Sequence, residues 1–427
     1  MGSGLVMPNF SKRALISAET PRAVKEEMMK LQSSDERPTR MKFRTGPAER
    51  WLNGVVHDSR TTDGRTTRTS IPAVSSADAD ANVDADAHAH AVGTLRLVNI
   101  GQLTTPALVV QRALLDANLT TMADALPGTR MRPHVKAHKC SALAARQAQL
   151  GHTGFTCATI TETEVLARSG LGDDLLLANE VVNAQRLGVL VREGARVTMA
   201  VDSDEIIAAA VSARVPEVLI DVNVGLPRCG CRPEDAGRLA DRARQQGLTV
   251  RGVMGYEGHI VGLEDRSRRV ELLEGSMALL QGAHEDVGGD IVSAGGTGTY
   301  DINHWATEIQ AGSYALMDTA YGKLGLPFAQ ALSVLATVIS VSTEWAVADC
   351  GLKALGMDHG NPTVDGATVL FCSDEHLTFS PRHRVRVGDR ISVIPAHVDP
   401  TVAYHEYLHI ADGEEVVDHW PVDMRGW

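Results

Sequence analysis

From Val98 onward, short apolar and β-branched runs recur eight times, separated by stretches with helical spacing, and this alternation constrains the fold more than any other feature. The runs lie near Met131–Lys136, Gly154–Ala158, Asp174–Ala178, Val197–Val201, Glu217–Val224, Val250–Tyr256, Asp290–Ala294 and Ser313–Met317. Helical spacing fills Ser141–Leu150, Glu205–Arg214, Pro233–Gln246 and Arg269–Gln281, and Thr161 with Glu164 reads as a capping box. Eight strands alternating with helices predict a (β/α)8 barrel of the TIM type, with an open doubly wound sheet as the other arrangement the pattern allows. After Leu335 the helical spacing stops. Runs at Ala336–Val341, Trp345–Asp349, Thr368–Cys372, Arg384–Val387, Arg390–Pro395 and Glu406–Ile410 predict a C-terminal all-β domain. An early strand at Thr105–Gln111 has no place in the count of eight and is expected to join it. The predicted division is therefore 1–92 as an extension, 112–335 as the barrel, and 93–111 with 336–427 as the β domain.

The extension is the exception to this order. Between Thr61 and Val92 it is Ser, Thr, Asp, Ala and His, with too little apolar content to offset the entropy of ordering, so a disordered linker is expected. Asp84, Asp86, His88 and His90 alternate there, as a solvated tract or a loose metal site. An amphipathic helix is expected around Arg22–Leu31.

Charge and cysteine usage narrow the partners. With 41 Lys and Arg against 53 Asp and Glu, the formal net charge is −12, which argues against a nucleic-acid or anionic-membrane partner. No apolar run is long enough to span a bilayer. The 6 cysteines carry no CxxC spacing, which suits reduced thiols and a cytoplasmic setting.

In a barrel of this kind, chemistry belongs to the loops at the carboxyl ends of the strands. The first strand runs into Arg132-Pro133-His134-Val135-Lys136-Ala137-His138-Lys139. Alternation would place His134, Lys136 and His138 on one face, where a desolvated Lys136 has its pKa lowered toward Schiff-base chemistry; a rim salt bridge is the equal alternative. Ser293–Thr299 and Gly312-Ser313-Tyr314 are Gly-rich and hydroxyl-rich, as a phosphate cradle needs. A phosphate site beside a buried lysine suggests pyridoxal 5′-phosphate. Arg228 and Tyr256 follow the fifth and sixth strands, and His259 stands as an acid–base group or an ordinary packed histidine. His397 and Asp399, two apart on an extended segment, share a face and suit a divalent cation or a plain His–Asp hydrogen bond.

These segments together resemble the fold-type III pyridoxal-phosphate enzymes, specifically the D-threonine aldolase and eukaryotic-type D-serine dehydratase group. The resemblance rests on Thr105–Val109, Arg132–Lys139, Thr156–Glu164, Leu177–Val182, Pro227–Gly230, Ser293–Gly298, Gly312–Tyr314 and His397–Thr401, in the family's order. It implies an alanine racemase-like barrel with a β domain, Lys136 as the cofactor lysine, Arg228 near the cofactor's 3′-oxygen and Tyr256 near its ring. It also implies Gly296, Thr297, Gly312 and Ser313 around the phosphate, and His397 and Asp399 on a metal. The dehydratases resemble H-x-C and favour Zn²⁺; this chain has H-x-D, which implies Mn²⁺ or Mg²⁺ and an aldolase. The implied reaction converts D-threonine or a related D-β-hydroxy-α-amino acid to glycine and an aldehyde, with His259 as a catalytic group, although the family's histidine would fall at Gly262. A dehydratase giving pyruvate and ammonia, and a non-catalytic pyridoxal-phosphate-binding protein, are the alternatives. A homodimer is the assembly implied.

Overall fold

The computed structural model describes residues 98–427. The expected linker, the Asp84–His90 tract and the helix at Arg22–Leu31 lie outside the described residues.

Seven short strands, Phe155–Cys157, Leu175–Leu177, Val197–Val201, Glu217–Asp221, Thr249–Gly255, Ile291–Ala294 and Glu308–Ile309, form one parallel sheet in chain order. The eighth member closes the ring. Met131 bridges Ile309 and His134 bridges Thr156, both in parallel, so the 131–134 segment lies between the last strand and the first. Pro133 lacks an N–H and its neighbours carry the ladder: Arg132 N donates to Ile309 O at 2.9 Å and His134 N to Ala311 O at 3.0 Å. Covered on both faces, Leu175–Leu177 and Val197–Val201 are buried throughout, and they read as apolar runs interrupted only by Thr198.

Two expectations for the barrel are corrected. The eighth strand is Glu308–Ile309, and Ser313–Ala315 is a 3-10 turn instead. Its inward residues are polar but satisfied, Glu308 by Arg132 Nε at 2.8 Å and Gln310 by Ser293 Oγ at 2.8 Å, so hydrophobic alternation did not mark it. The capping box is Thr159 with Glu162, two residues earlier than expected, and it opens the helix Ile160–Arg168. Glu164 is free of that task and pairs with Arg186 at 2.7 Å.

The other sheet has ten strands. Ala107–Gln111 lies inside it, antiparallel to Leu332–Val341 and parallel to Tyr407–Asp412. Arg384–Val387 is not a strand; Arg386 N donates to Asp389 Oδ2 in a turn, and Leu377–Pro381 supplies the ladder next to Ala367–Cys372. His397 also departs from expectation. It caps a helix, Val398–Tyr404, and Asp399 lies in that helix's first turn rather than on an extended strand. Pro400 is tolerated so close to a helix start, and the orphan N–H of Val398 is taken by Asp318 Oδ2 at 2.9 Å. Among the described residues no helix is long and apolar enough to cross a membrane. All 6 cysteines are free.

Candidate active site

The lysine sits on a turn, not a strand. After the bridge at His134 the chain enters the 3-10 turn Val135–Ala137, so the expected alternation of His134, Lys136 and His138 does not form. Lys139 then adopts φ +46°, a left-handed conformation that costs a residue with a side chain about 1–3 kcal/mol. The cost is offset locally: Lys139 N donates to Val135 O at 2.7 Å, and its ammonium pairs with the buried Glu162 carboxylate. Glu162 also accepts from Ala158 N at 2.6 Å, which ties the turn to the loop after the neighbouring strand.

From this turn Lys136 reaches Asp399 Oδ2 at 2.7 Å. Its side chain is 42% accessible, and it lines a cavity. Burial pulls the ammonium's pKa down, and the Asp399 carboxylate outweighs that, so the lysine is held above its ordinary value. This reverses the lowered pKa expected from desolvation alone. Asp399 responds in kind: burial raises its pKa, Lys136 and His397 lower it more, and it stands at about 2.

The cavity, about 230 Å³, lies at the carboxyl ends of the barrel strands and collects Lys136, Arg228, Tyr256, Gly296, Thr297, Gly312 and Ser313. Arg228 stacks over the Tyr256 ring, with its guanidinium carbon 5.2 Å from the centroid. Thr297 Oγ1 accepts from Tyr314 N at 3.0 Å, which joins the two Gly-rich segments. At Gly312 a Cβ would come within 2.5 Å of His134 O, so only glycine lets this loop pass the segment that leads into the lysine's turn. At Gly296 a Cβ would make only ordinary contacts, with Val261 Cγ1 at 3.4 Å and Tyr256 Cε2 at 3.6 Å. An amine facing a glycine-lined, hydroxyl-bearing wall fits pyridoxal phosphate.

His259 is placed elsewhere. It is not among the cavity-lining residues; its ring lies where a Cβ on Gly225 would be, 2.8 Å from Cε1, and its Nδ1 is buried without a partner. Burial lowers its pKa. The histidine that does line the cavity is His134, whose Nδ1 also lacks a partner and whose pKa burial and the Lys136 charge push well down.

His397 Nε2 faces Asp399 Oδ1 at 4.0 Å, somewhat wider than the roughly 3.0–3.4 Å between adjacent ligands of one ion, so a small side-chain rotation brings both onto a divalent ion. On the other side His397 Nδ1 donates to Asp358 Oδ2 at 2.7 Å, which leaves the Nε2 lone pair aimed at Asp399. That donor set fits a divalent ion. Asp358, His359 and His397 also bring ligand atoms within 4.8 Å of one another. However, a bound ion lies in the plane of each imidazole, and the His359 and His397 rings are stacked at 4.0 Å and 10°, so they do not converge on one ion without turning.

Sequence reasoning missed Asp358, because Asp358–Pro362 carries only a turn signal. It also missed the pair Glu180 and Asp221 on the cavity wall. Burial, and then the Glu180 carboxylate, push the Asp221 pKa well up. Tyr321 lines the cavity too, and its N–H is held by Asp318 Oδ1 at 2.9 Å, the carboxylate whose other oxygen anchors Val398.

Comparison with known proteins agrees with this arrangement. The alanine racemase N-terminal domain family matches residues 110–338, and the putative serine dehydratase domain family matches residues 331–411. The chain is 33% identical over 364 residues to a 3-hydroxy-D-aspartate aldolase of Paracoccus denitrificans (strain Pd 1222), covering 76% of this chain and 93% of that one. It is 32% identical over 360 residues to a D-threonine aldolase of Arthrobacter sp, covering 77% and 94%. Among solved structures, D-threonine aldolase from Filomicrobium marinum superposes with a TM-score of 0.73 at 32% identity, covering 78% of this chain and 98% of that one. A barrel closed by the lysine-bearing segment, a second sheet that carries the H-x-D turn, and these matches make the chain a member of the alanine racemase-like, fold-type III pyridoxal-phosphate family, in the branch with a serine dehydratase-type domain.

Proposed function

We propose that the protein is a metal-dependent lyase that cleaves D-threonine or a related D-β-hydroxy-α-amino acid into glycine and an aldehyde. The observation that carries this reading is the contact between Lys136 and Asp399, which joins the cofactor lysine to a carboxylate of the H-x-D pair. Relatives named as D-threonine and 3-hydroxy-D-aspartate aldolases support it.

When bound, pyridoxal phosphate supplies the electron sink that allows a Cα–Cβ bond to break. Lys136 would hold it, Gly296, Thr297, Gly312 and Ser313 would surround its phosphate, Tyr256 would lie by its ring, and Arg228 would keep its 3′-oxygen anionic. Lys136 is a charged ammonium paired with Asp399, so it must shed a proton before its nitrogen can bond carbon. His397 and Asp399, oriented by Asp358, would hold Mn²⁺ or Mg²⁺ beside the lysine, where such an ion polarises the substrate hydroxyl. His134, uncharged and with an unpartnered nitrogen in the wall, can accept a proton or hydrogen bond there. His259 packs its ring against Gly225, in the loop that leads to Arg228.

The match to a serine dehydratase domain favours a second reading, in which D-serine yields pyruvate and ammonia. Product analysis from D-threonine, D-serine and D-phenylserine, with and without chelator, separates the two. Glycine plus aldehyde, abolished by chelator, is the expected result; keto acid plus ammonia overturns it. The family resemblance also leads us to propose a homodimer, which light scattering on the purified enzyme tests.

A further inference from the structure

The described chain ends in a hairpin, Tyr407–Asp412 and Glu415–Pro421, in which His409 and His419 lie directly opposite each other. Opposite residues of an antiparallel pair share one face. Their Nδ1 atoms are 2.7 Å apart, and the rings meet edge-on at 89° with centroids 4.8 Å apart. Such a contact needs one ring to donate its N–H to the lone pair of the other. Neighbouring polar groups are already engaged. Asp418 accepts from His419 N and from Trp420 Nε1, both at 2.8 Å, and His405 Nε2 donates to Ala354 O at 2.9 Å. Burial, followed by the imidazoles of His419 and His405, lowers the His409 pKa to about 4, so that ring is a neutral ligand at physiological pH. Neither His409 nor His419 lines the cavity, and neither has a part in the reaction proposed above.

We propose that His409 and His419 are the protein ligands of a second metal site, open on its solvent side, for an imidazole-preferring divalent ion such as Zn²⁺, Ni²⁺ or Cu²⁺. Two imidazole nitrogens without a carboxylate select these ions over Mn²⁺ and Mg²⁺. In binding, the donor ring moves its proton from Nδ1 to Nε2, which frees both Nδ1 lone pairs with no net proton release. Zn–N bonds of about 2.0–2.1 Å in tetrahedral geometry set the nitrogens roughly 3.3 Å apart, so the rings open by about 0.6 Å. The side chain of His419 is exposed and free to make that movement. Water or an outside ligand completes the shell. The ion then staples the two strands, and the chain beyond them is bonded to the lysine-bearing segment: Met424 N donates to Lys139 O at 3.1 Å, and Asp423 Oδ1 accepts from Ser141 N at 3.0 Å.

The test is calorimetric titration of the chelator-treated, cofactor-loaded enzyme with Zn²⁺ and separately with Mn²⁺, for the wild type and His419→Gln. The expected result is one Zn²⁺ fewer bound by the variant, with unchanged Mn²⁺ stoichiometry, and a Zn²⁺-dependent rise in unfolding temperature that the variant loses in part. Equal Zn²⁺ stoichiometry and affinity in the two proteins overturns the proposal. Should the variant fold poorly, the wild type decides: Zn²⁺ must protect His409 and His419 from diethyl pyrocarbonate, mapped by mass spectrometry, and unhindered modification of both counts against the site. Any ion held by His397 and Asp399 is common to both proteins and leaves the comparison intact.

Discussion

The two ends of the barrel bury charge in opposite ways. At the floor, where the strands begin, Arg132 pairs with Asp174 at 2.6 Å and Glu308 at 2.8 Å, and Arg251 pairs with Asp174 at 2.7 Å and donates to Thr198 Oγ1 at 2.6 Å. Protein satisfies these groups. At the mouth, where the strands end, His134 keeps an unpartnered nitrogen, burial and the Glu180 carboxylate push the Asp221 pKa well up, and Lys136 lines the cavity with 42% of its side chain accessible. The difference teaches that the same fold spends buried charge on rigidity at one end and leaves it available to a guest at the other.

The sharpest break of that contrast is Lys136→Ala. It should abolish the absorption band of lysine-bound cofactor and reduce activity to background, with a stability cost of about 1–3 kcal/mol by denaturant titration from leaving Asp399 without its ammonium. A larger loss of stability would move this lysine to the structural side of the comparison. Asp174→Ala should spare the band and cost stability instead, about 2–3 kcal/mol, because two arginines lose a half-buried carboxylate while Arg132 keeps Glu308 and Arg251 keeps Glu217. Asp174 is held at about 2 because the Arg251 and Arg132 contacts outweigh the burial that would raise it. Its pKa is thus below the unfolded value. Its contribution is complete above roughly pH 4 and disappears as pH falls toward 2, so wild type and variant should converge in acid-unfolding curves.

Smaller effects sharpen the mouth itself. Asp399→Asn should retain cofactor while activity no longer responds to added Mn²⁺; an unaltered response removes the residue from the metal site. Asp358→Ala should weaken Mn²⁺ affinity about 10–100-fold, read by competition with a chromophoric chelator, since His397 then loses the carboxylate that orients it. His259→Gln should change kcat/KM least, by under about tenfold. A loss in the 10²–10⁴ range typical of proton-transfer groups would put that histidine back in the reaction.

Much of the architecture was legible in the residues because the barrel strands are covered on both faces, so Leu175–Leu177 and Val197–Val201 are apolar save for Thr198. Glu308–Ile309 was not legible, since its inward side chains are polar and their compensation comes from Arg132 and Ser293, remote in sequence. The site divides similarly. Lys136, Arg228, Tyr256, Gly296, Thr297, Gly312 and Ser313 line one cavity, whereas His259 is not among its lining residues and Asp358 had no signal beyond a turn.

Local pattern thus determined the element types, their order and the residue kinds able to carry chemistry, because periodicity, prolines and glycines act over a few neighbours. Tertiary structure alone decided that Asp399 faces Lys136, that the lysine stays charged, and which carboxylate orients His397. Those outcomes depend on Coulomb interactions and desolvation between groups that lie far apart in the chain, and no short window of sequence contains both partners.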